Sequence, residues 1–120
     1  MAILRSVQAV RIFVNDLERS RAFYSGVLEL EERSAEPTFA VYVLGEMEVI
    51  IEAVPPDDPE AFGLAGRFLA VSFQVDDINE TYRSLLGRGV TFVQPPEQQS
   101  WGGSLAFFND PDDNVLTLVQ

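Results

Sequence analysis

The sequence predicts an α+β fold built from two tandem βαβββ modules. Three observations lead there: an internal repeat, a change of apolar period inside each copy, and turn-rich stretches that separate the remaining strands. Residues 10–26 (VRIFVNDLERSRAFYSG) superimpose on residues 71–87 (VSFQVDDINETYRSLLG) at an offset of 61. The resulting bounds are a first module over 1–54, a linker over 55–66 and a second module over 67–120, together one structural domain.

Each copy opens with apolar residues at alternate positions, Val10, Ile12 and Val14 in one and Val71, Phe73 and Val75 in the other. That period of two belongs to a strand. Asn15-Asp16 and Asp76-Asp77 then supply helix N-caps, and Glu80 stands three residues beyond Asp77 as in a capping box. Helical spacing follows, with Leu17, Tyr24, Val27 and Leu28 in one stripe and Ile78, Tyr82, Leu85 and Leu86 in the other. Gly87 and Gly89 stop the second helix. Further strands are expected at 28–33, 39–44 and 46–54, with Gly45 near the hairpin, and at 90–94, 104–109 and 115–119. The run Asp110-Pro111-Asp112-Asp113-Asn114 suits a tight reversal between the last two. Residues 55–66 (PPDDPEAFGLAG) read as the linker. Residues 95–103 read as a long loop that carries Trp101, the one tryptophan.

Composition narrows the function. The chain has 19 acidic and 8 basic residues, a net charge of -11, which repels phosphate backbones and anionic headgroups. No nucleic-acid or membrane partner is expected, and a cationic guest would be attracted. No stretch approaches the ~20 apolar residues of a membrane span, and MAILRSVQAV lacks a basic start followed by a long apolar run. The cytoplasm is the expected location. There is no Cys and no His, and all eight cations are Arg. Thiolate nucleophiles, imidazole bases, Schiff-base lysines, zinc fingers and iron–sulfur ligation all fall away. Chemistry is left to carboxylates, guanidinium, hydroxyls and amides.

With these elements in place, the chain resembles the vicinal oxygen chelate superfamily of glyoxalases, extradiol dioxygenases, fosfomycin-type transferases and bleomycin resistance proteins. The likeness rests on VRIFVNDLERSRAFYSGVLEL, VSFQVDDINETYRSLLGRGVTF and WGGSLAFFNDPDDNVLTLV, which with the spaced strands span nearly the whole chain. Asp113 stands where the family usually has Gly, and Asp tolerates left-handed backbone better than most residues. The resemblance implies that each module curls into a cup of mixed sheet with its helix outside. In the family's enzymes a divalent metal sits between the two cups. The implied ligand positions here are Ala9, seven residues before Asp16, its counterpart Ala70, a position at or beside Ile50, and Thr117. Alanine and isoleucine cannot ligate, and a lone Thr hydroxyl is a weak ligand. No metal and no cofactor are expected.

If Ala9 and Ala70 face into the cup, alternation brings Arg11 and Phe13 with the first and Ser72 and Gln74 with the second. Trp101, Phe107 or Phe108, and Tyr42 are candidate aromatic walls. The expected ligand pocket is therefore Ala9, Arg11, Phe13, Tyr42, Ile50, Ala70, Ser72, Gln74, Trp101, Phe107 and Thr117. Glu48 and Glu52 alternate with Ile50 and are the candidate catalytic carboxylates. Arg11 either reaches solvent, pairs with one of them or clamps an anionic ligand. Asp57-Asp58 and Asp112-Asp113 read as solubilising turn residues. The preferred function is a metal-free, homodimeric binding protein of the bleomycin-resistance kind, sequestering an antibiotic or metabolite that is cationic or aromatic. One alternative is a metal-independent isomerase, cyclase or lyase with Glu48 or Glu52 as general base. The other is a non-catalytic interaction module whose cup is filled by its own side chains.

Overall fold

A computed structural model describes residues 2–61 and 63–120. Two four-stranded mixed sheets are laid out by the same rule. The first contains β1 (Ala9–Val14), β2 (Glu31–Ala35), β3 (Phe39–Leu44) and β4 (Met47–Ala53) in the order β1-β4-β3-β2. The second contains β5 (Phe68–Gln74), β6 (Phe92–Gln98), β7 (Ser104–Asn109) and β8 (Val115–Val119) in the order β5-β8-β7-β6. In each, the first strand runs parallel to the last and the other pairs are antiparallel. A parallel pair needs a crossover, and the helix after each first strand supplies part of it. The α+β class read from the sequence is the class observed.

Both helices start where the caps stand. Asp16 Oδ1 accepts the Arg19 backbone N–H at 3.1 Å at the head of α1 (Leu17–Arg21), and Asp77 Oδ1 accepts that of Glu80 at 3.1 Å at the head of α2 (Ile78–Gly87). Gly89 follows α2 at φ +88°, a left-handed position that favours glycine. Asp113 takes φ +62° in the β7–β8 turn, where the resemblance implies glycine.

Three boundaries move. The first helix does not stay α-helical: after Arg21 it widens into a π-helical turn over Ala22–Val27. The Leu28 and Leu30 N–H groups then donate to the Phe23 and Tyr24 carbonyls, both at 2.9 Å. Residues 28–30 are thereby committed to the helix end, so the strand expected at 28–33 begins only at Glu31. In the second half the strand expected at 90–94 runs over Phe92–Gln98 and absorbs Pro95 and Pro96 from the expected loop. It is an edge strand with two register shifts, the setting in which a strand tolerates proline.

The core lies on the helix side of both sheets. Ile12, Val14, Val49 and Ile51 from the first module join Ala106, Phe108, Leu116 and Leu118 from the second in one buried cluster. Val10, Val71, Phe73 and Val75 pack against it, on the parity that the alternation gave them. Among the described residues no helix is long and apolar enough to cross a membrane.

Candidate functional site

The faces turned away from the helices are open, and they carry most of the residues singled out above. On β1, alternation sends Ala9, Arg11 and Phe13 to that face. Register places Glu48 beside Ala9, Ile50 beside Arg11 and Glu52 beside Phe13 on β4. The next strand adds Val43, Val41 and Phe39 to the same three rows. The charges on this face are paired. Arg11 Nε and Nη2 meet Glu52 Oε1 and Oε2 at 2.6 and 3.0 Å, and Arg33 Nη2 meets Glu48 Oε2 at 2.7 Å. Hydrogen bonding to Glu52, with its charge, holds the Arg11 proton more firmly than usual. The Arg11 guanidinium also lies over the Phe13 ring, 5.3 Å from its centre.

The second open face is nearly uncharged. Ser72 pairs in register with Thr117, and Thr117 with Phe107. Phe68 meets Phe107 edge to face at 5.7 Å. Ala70 sits within a register shift of β5 and holds φ +54°, an uncommon backbone for a residue with a Cβ. Beyond the sheet, Trp101 is 62% exposed on the β6–β7 turn, its ring folded across the bare backbone of Gly103.

A buried polar network joins the two modules and so sets how these faces are carried. Tyr24 Oη donates to Asp110 Oδ2 at 2.7 Å. Asp112, whose side chain is 1% exposed, accepts from Arg19 at 2.7 Å, Asn15 at 3.1 Å and Ser20 at 3.4 Å. Asn114 donates to the Phe13 carbonyl and to Asp110, and accepts from the Gly66 and Arg67 N–H groups. A Cβ on Gly66, at φ +79°, would stand 3.2 Å from the Asp112 carbonyl, so the turn needs glycine there.

The sequence matches the profile of the Glyoxalase/Bleomycin resistance protein/Dioxygenase superfamily over residues 6–118. The chain belongs to that superfamily. A solved superfamily member from Sphaerobacter thermophilus DSM 20745 aligns with a TM-score of 0.81 at 30% identity, over 98% of each chain. YraH of Bacillus subtilis (strain 168) is 29% identical over 92% of this chain and 94% of its own. A bleomycin resistance protein of Klebsiella pneumoniae is 30% identical over 63% of this chain and 62% of its own.

The metal that superfamily enzymes hold can be tested against the donor set. Ala9 and Ala70 offer no donor, Ile50 offers none, and Thr117 offers one nearly buried hydroxyl. Among the described residues no group of three or more His, Cys, Asp or Glu side chains could hold a metal ion. Glu48 and Glu52, the nearest carboxylates, each already face an arginine. The residues present do not fit a divalent ion.

Three expectations change and one open choice closes. Tyr42 is not a wall of either open face: it is fully buried on the helix side, accepts from Ser25 at 3.0 Å and donates to Glu32 at 3.3 Å. Its parity in β3 is that of Ala40, opposite to Val41, and alternation alone did not say which face was which. Of the pair Phe107 and Phe108, Phe108 is core. Gln74 opens into a cleft of about 510 Å³ shared with Val27, Asp76, Glu80 and Arg88, which neither Arg11 nor Trp101 lines. Asp112 is a buried acceptor, not a solubilising turn residue. Sequence reasoning also passed over Arg33, Phe39 and Phe68. Phe68 lies two positions before Ala70, so the same alternation would have reached it. Phe39 has the parity of Val41, opposite to Tyr42, and emerges only once the open side of β3 is known.

Proposed function

We propose that this chain is a metal-free small-molecule binding protein, acting as a homodimer that encloses an aromatic guest against the open sheet faces. The donor set carries the reading. Where the superfamily's enzymes ligate a metal, this chain has Ala9, Ile50, Ala70 and Thr117, and the charges beside them are spent on one another. Apolar surface with a few fixed polar groups suits enclosure of an organic guest. The net charge of -11 favours cations at long range, but Glu48 and Glu52 are neutralised locally, so aromatic character is the property we assign to the guest. The same pairing speaks against Glu48 or Glu52 as general base, because a base must be free to take a proton. Likeness to the Klebsiella pneumoniae bleomycin resistance protein supports sequestration of an antibiotic or metabolite, and the cytoplasm is the location we assign to it.

The monomer's surface supports the dimer. It exposes 7734 Å², whereas a compact chain of 13.4 kDa exposes about 6,500 Å². Its radius of gyration is 15.0 Å against about 13.6 Å for a compact chain of this length. An excess on the order of 1,000 Å² resembles what one partner buries in a standard interface. Phe39, Phe68, Val93 and Trp101 are among the exposed large apolar side chains that an interface or guest would cover.

Native mass spectrometry of freshly purified protein, with metal analysis on the same sample, tests the reading. The expected result is a dimer of twice 13.4 kDa without stoichiometric transition metal, able to retain an organic guest unchanged. Zinc, iron, manganese or nickel that survives chelator dialysis and is required for turnover would overturn it.

A further inference from the structure

We infer that Arg11 is the anchor of this site, and that the guest it selects carries a carboxylate on an apolar ring. The inference rests on the binding reading above and adds its chemical class. Arg11 gives Glu52 only one of its edges. Nε and Nη2 meet the two carboxylate oxygens at 2.6 and 3.0 Å, a side-on contact that uses two of the five N–H donors. The end-on edge, formed by Nη1–H and the second Nη2–H, meets no acceptor among the described residues. The side chain is 60% exposed, so that edge faces solvent.

The guanidinium is also held in place before any guest arrives. Glu52 grips one edge and the Phe13 ring lies beneath, 5.3 Å from Cζ. A donor pair already oriented loses little freedom on binding, which is where an arginine fork gains over a lysine ammonium.

Two parallel N–H donors match the paired oxygens of a carboxylate. Charge then chooses among oxyanions. Glu52 already answers part of the Arg11 charge, so a singly charged carboxylate is better matched to what remains than a doubly charged phosphate ester. The surface beside Arg11 chooses the body. Ile50 is its register partner and Val41 the next, each about 4.8 Å further across the sheet. Phe13 and Phe39 stand in the adjacent row. A ring seated over Ile50, the register partner of Arg11, would bring an attached carboxylate beside the guanidinium.

The test uses three probes with one ring system: naphthoate, naphthamide and naphthylmethylammonium, titrated calorimetrically into the full chain and into Arg11→Gln, Arg11→Lys and Glu52→Gln. Melting curves establish that each variant is folded. Naphthoate should bind best of the three. Arg11→Gln should weaken it at least about tenfold, and Arg11→Lys, which keeps the charge but loses the fork, by less. Glu52→Gln keeps an amide oxygen to hold the near edge of Arg11 while removing the opposing charge. It should strengthen naphthoate about threefold, whereas a merely structural ion pair would respond alike to loss of either partner. Equal naphthoate binding in wild type and Arg11→Gln, preference for the ammonium, or no binding of any probe overturns the inference. Preference for the ammonium leaves the binding reading standing, while a catalytic metal removes that reading independently of these titrations.

Discussion

Tyr24 and Asp110 lie 86 residues apart in the chain, yet the tyrosine hydroxyl donates to the carboxylate at 2.7 Å with both groups buried. One belongs to the π-helical turn of the first module and the other opens the β7–β8 turn of the second. Asp110 takes three more donors, the backbone N–H groups of Asp112 and Asn114 and the Asn114 side-chain amide. The carboxylate is the point at which the two halves are fastened together.

Tyr24→Phe removes one of four donors from that carboxylate without changing the ring. A hydrogen bond to a buried charge predicts a loss of about 2 kcal/mol, roughly 8 °C in Tm for a chain of this length. Asp110→Ala leaves all four donors without an acceptor and should cost roughly twice as much. Thermal unfolding of the two variants checks the order. A Tyr24→Phe protein that melts with wild type would mean that the contact contributes nothing.

The same tyrosine predicts alkaline sensitivity. Burial, then the charge of Asp110, pushes the Tyr24 hydroxyl well above its ordinary value of 10.0, and burial pushes Tyr42 in the same direction. A raised value in the folded state means that the fold holds the proton more tightly than the unfolded chain does. Stability from this source is complete below the unfolded value and is lost as pH climbs past it. Each tyrosine adds a slope of up to about 1.4 kcal/mol per pH unit. Urea unfolding between about pH 8 and about pH 11 should show the decline, and Tyr24→Phe should flatten it. Identical slopes would count against the assignment.

Arg19 bonds Asp112 at 2.7 Å, and the arginine is half exposed while the carboxylate is nearly sealed. Removing the cation leaves Asp112 with Asn15 and Ser20 alone. Arg19→Ala should therefore cost about 2 kcal/mol, more than a surface pair and less than a fully buried one. Hydrogen exchange should localise the effect to the Asp112 and Asn114 amides. Unchanged protection in that turn would make Arg19 an ordinary surface charge.

Gly103 reports on Trp101. A Cβ at this position would stand 1.9 Å from the indole ring and 2.8 Å from the Gln120 carbonyl, so the ring must leave its seat in Gly103→Ala. Trp101 is the one tryptophan, which makes its emission a clean measure. The expected outcome is a red-shifted, more mobile indole with a loss on the order of 1 kcal/mol. An unchanged spectrum would show that the ring does not rest on Gly103.

Local chemistry determined the outline of this protein. Alternation in 10–14 and 71–75, the Asp16 and Asp77 caps and the glycine after α2 act within a few residues, so they are written in consecutive letters and repeat with the module. The same letters put Ala9, Arg11 and Phe13 on one face together. Tertiary structure decided the rest. Whether Tyr42 lined an open face or the core depended on the side from which the helix packs, and a period of two is blind to that choice. Arg11's partner lies 41 residues away, and the donors that make Asp112 a buried acceptor lie more than 90 residues before it. Such pairings depend on the three-dimensional path of the chain, because a carboxylate in a turn reads the same whether water or an arginine meets it.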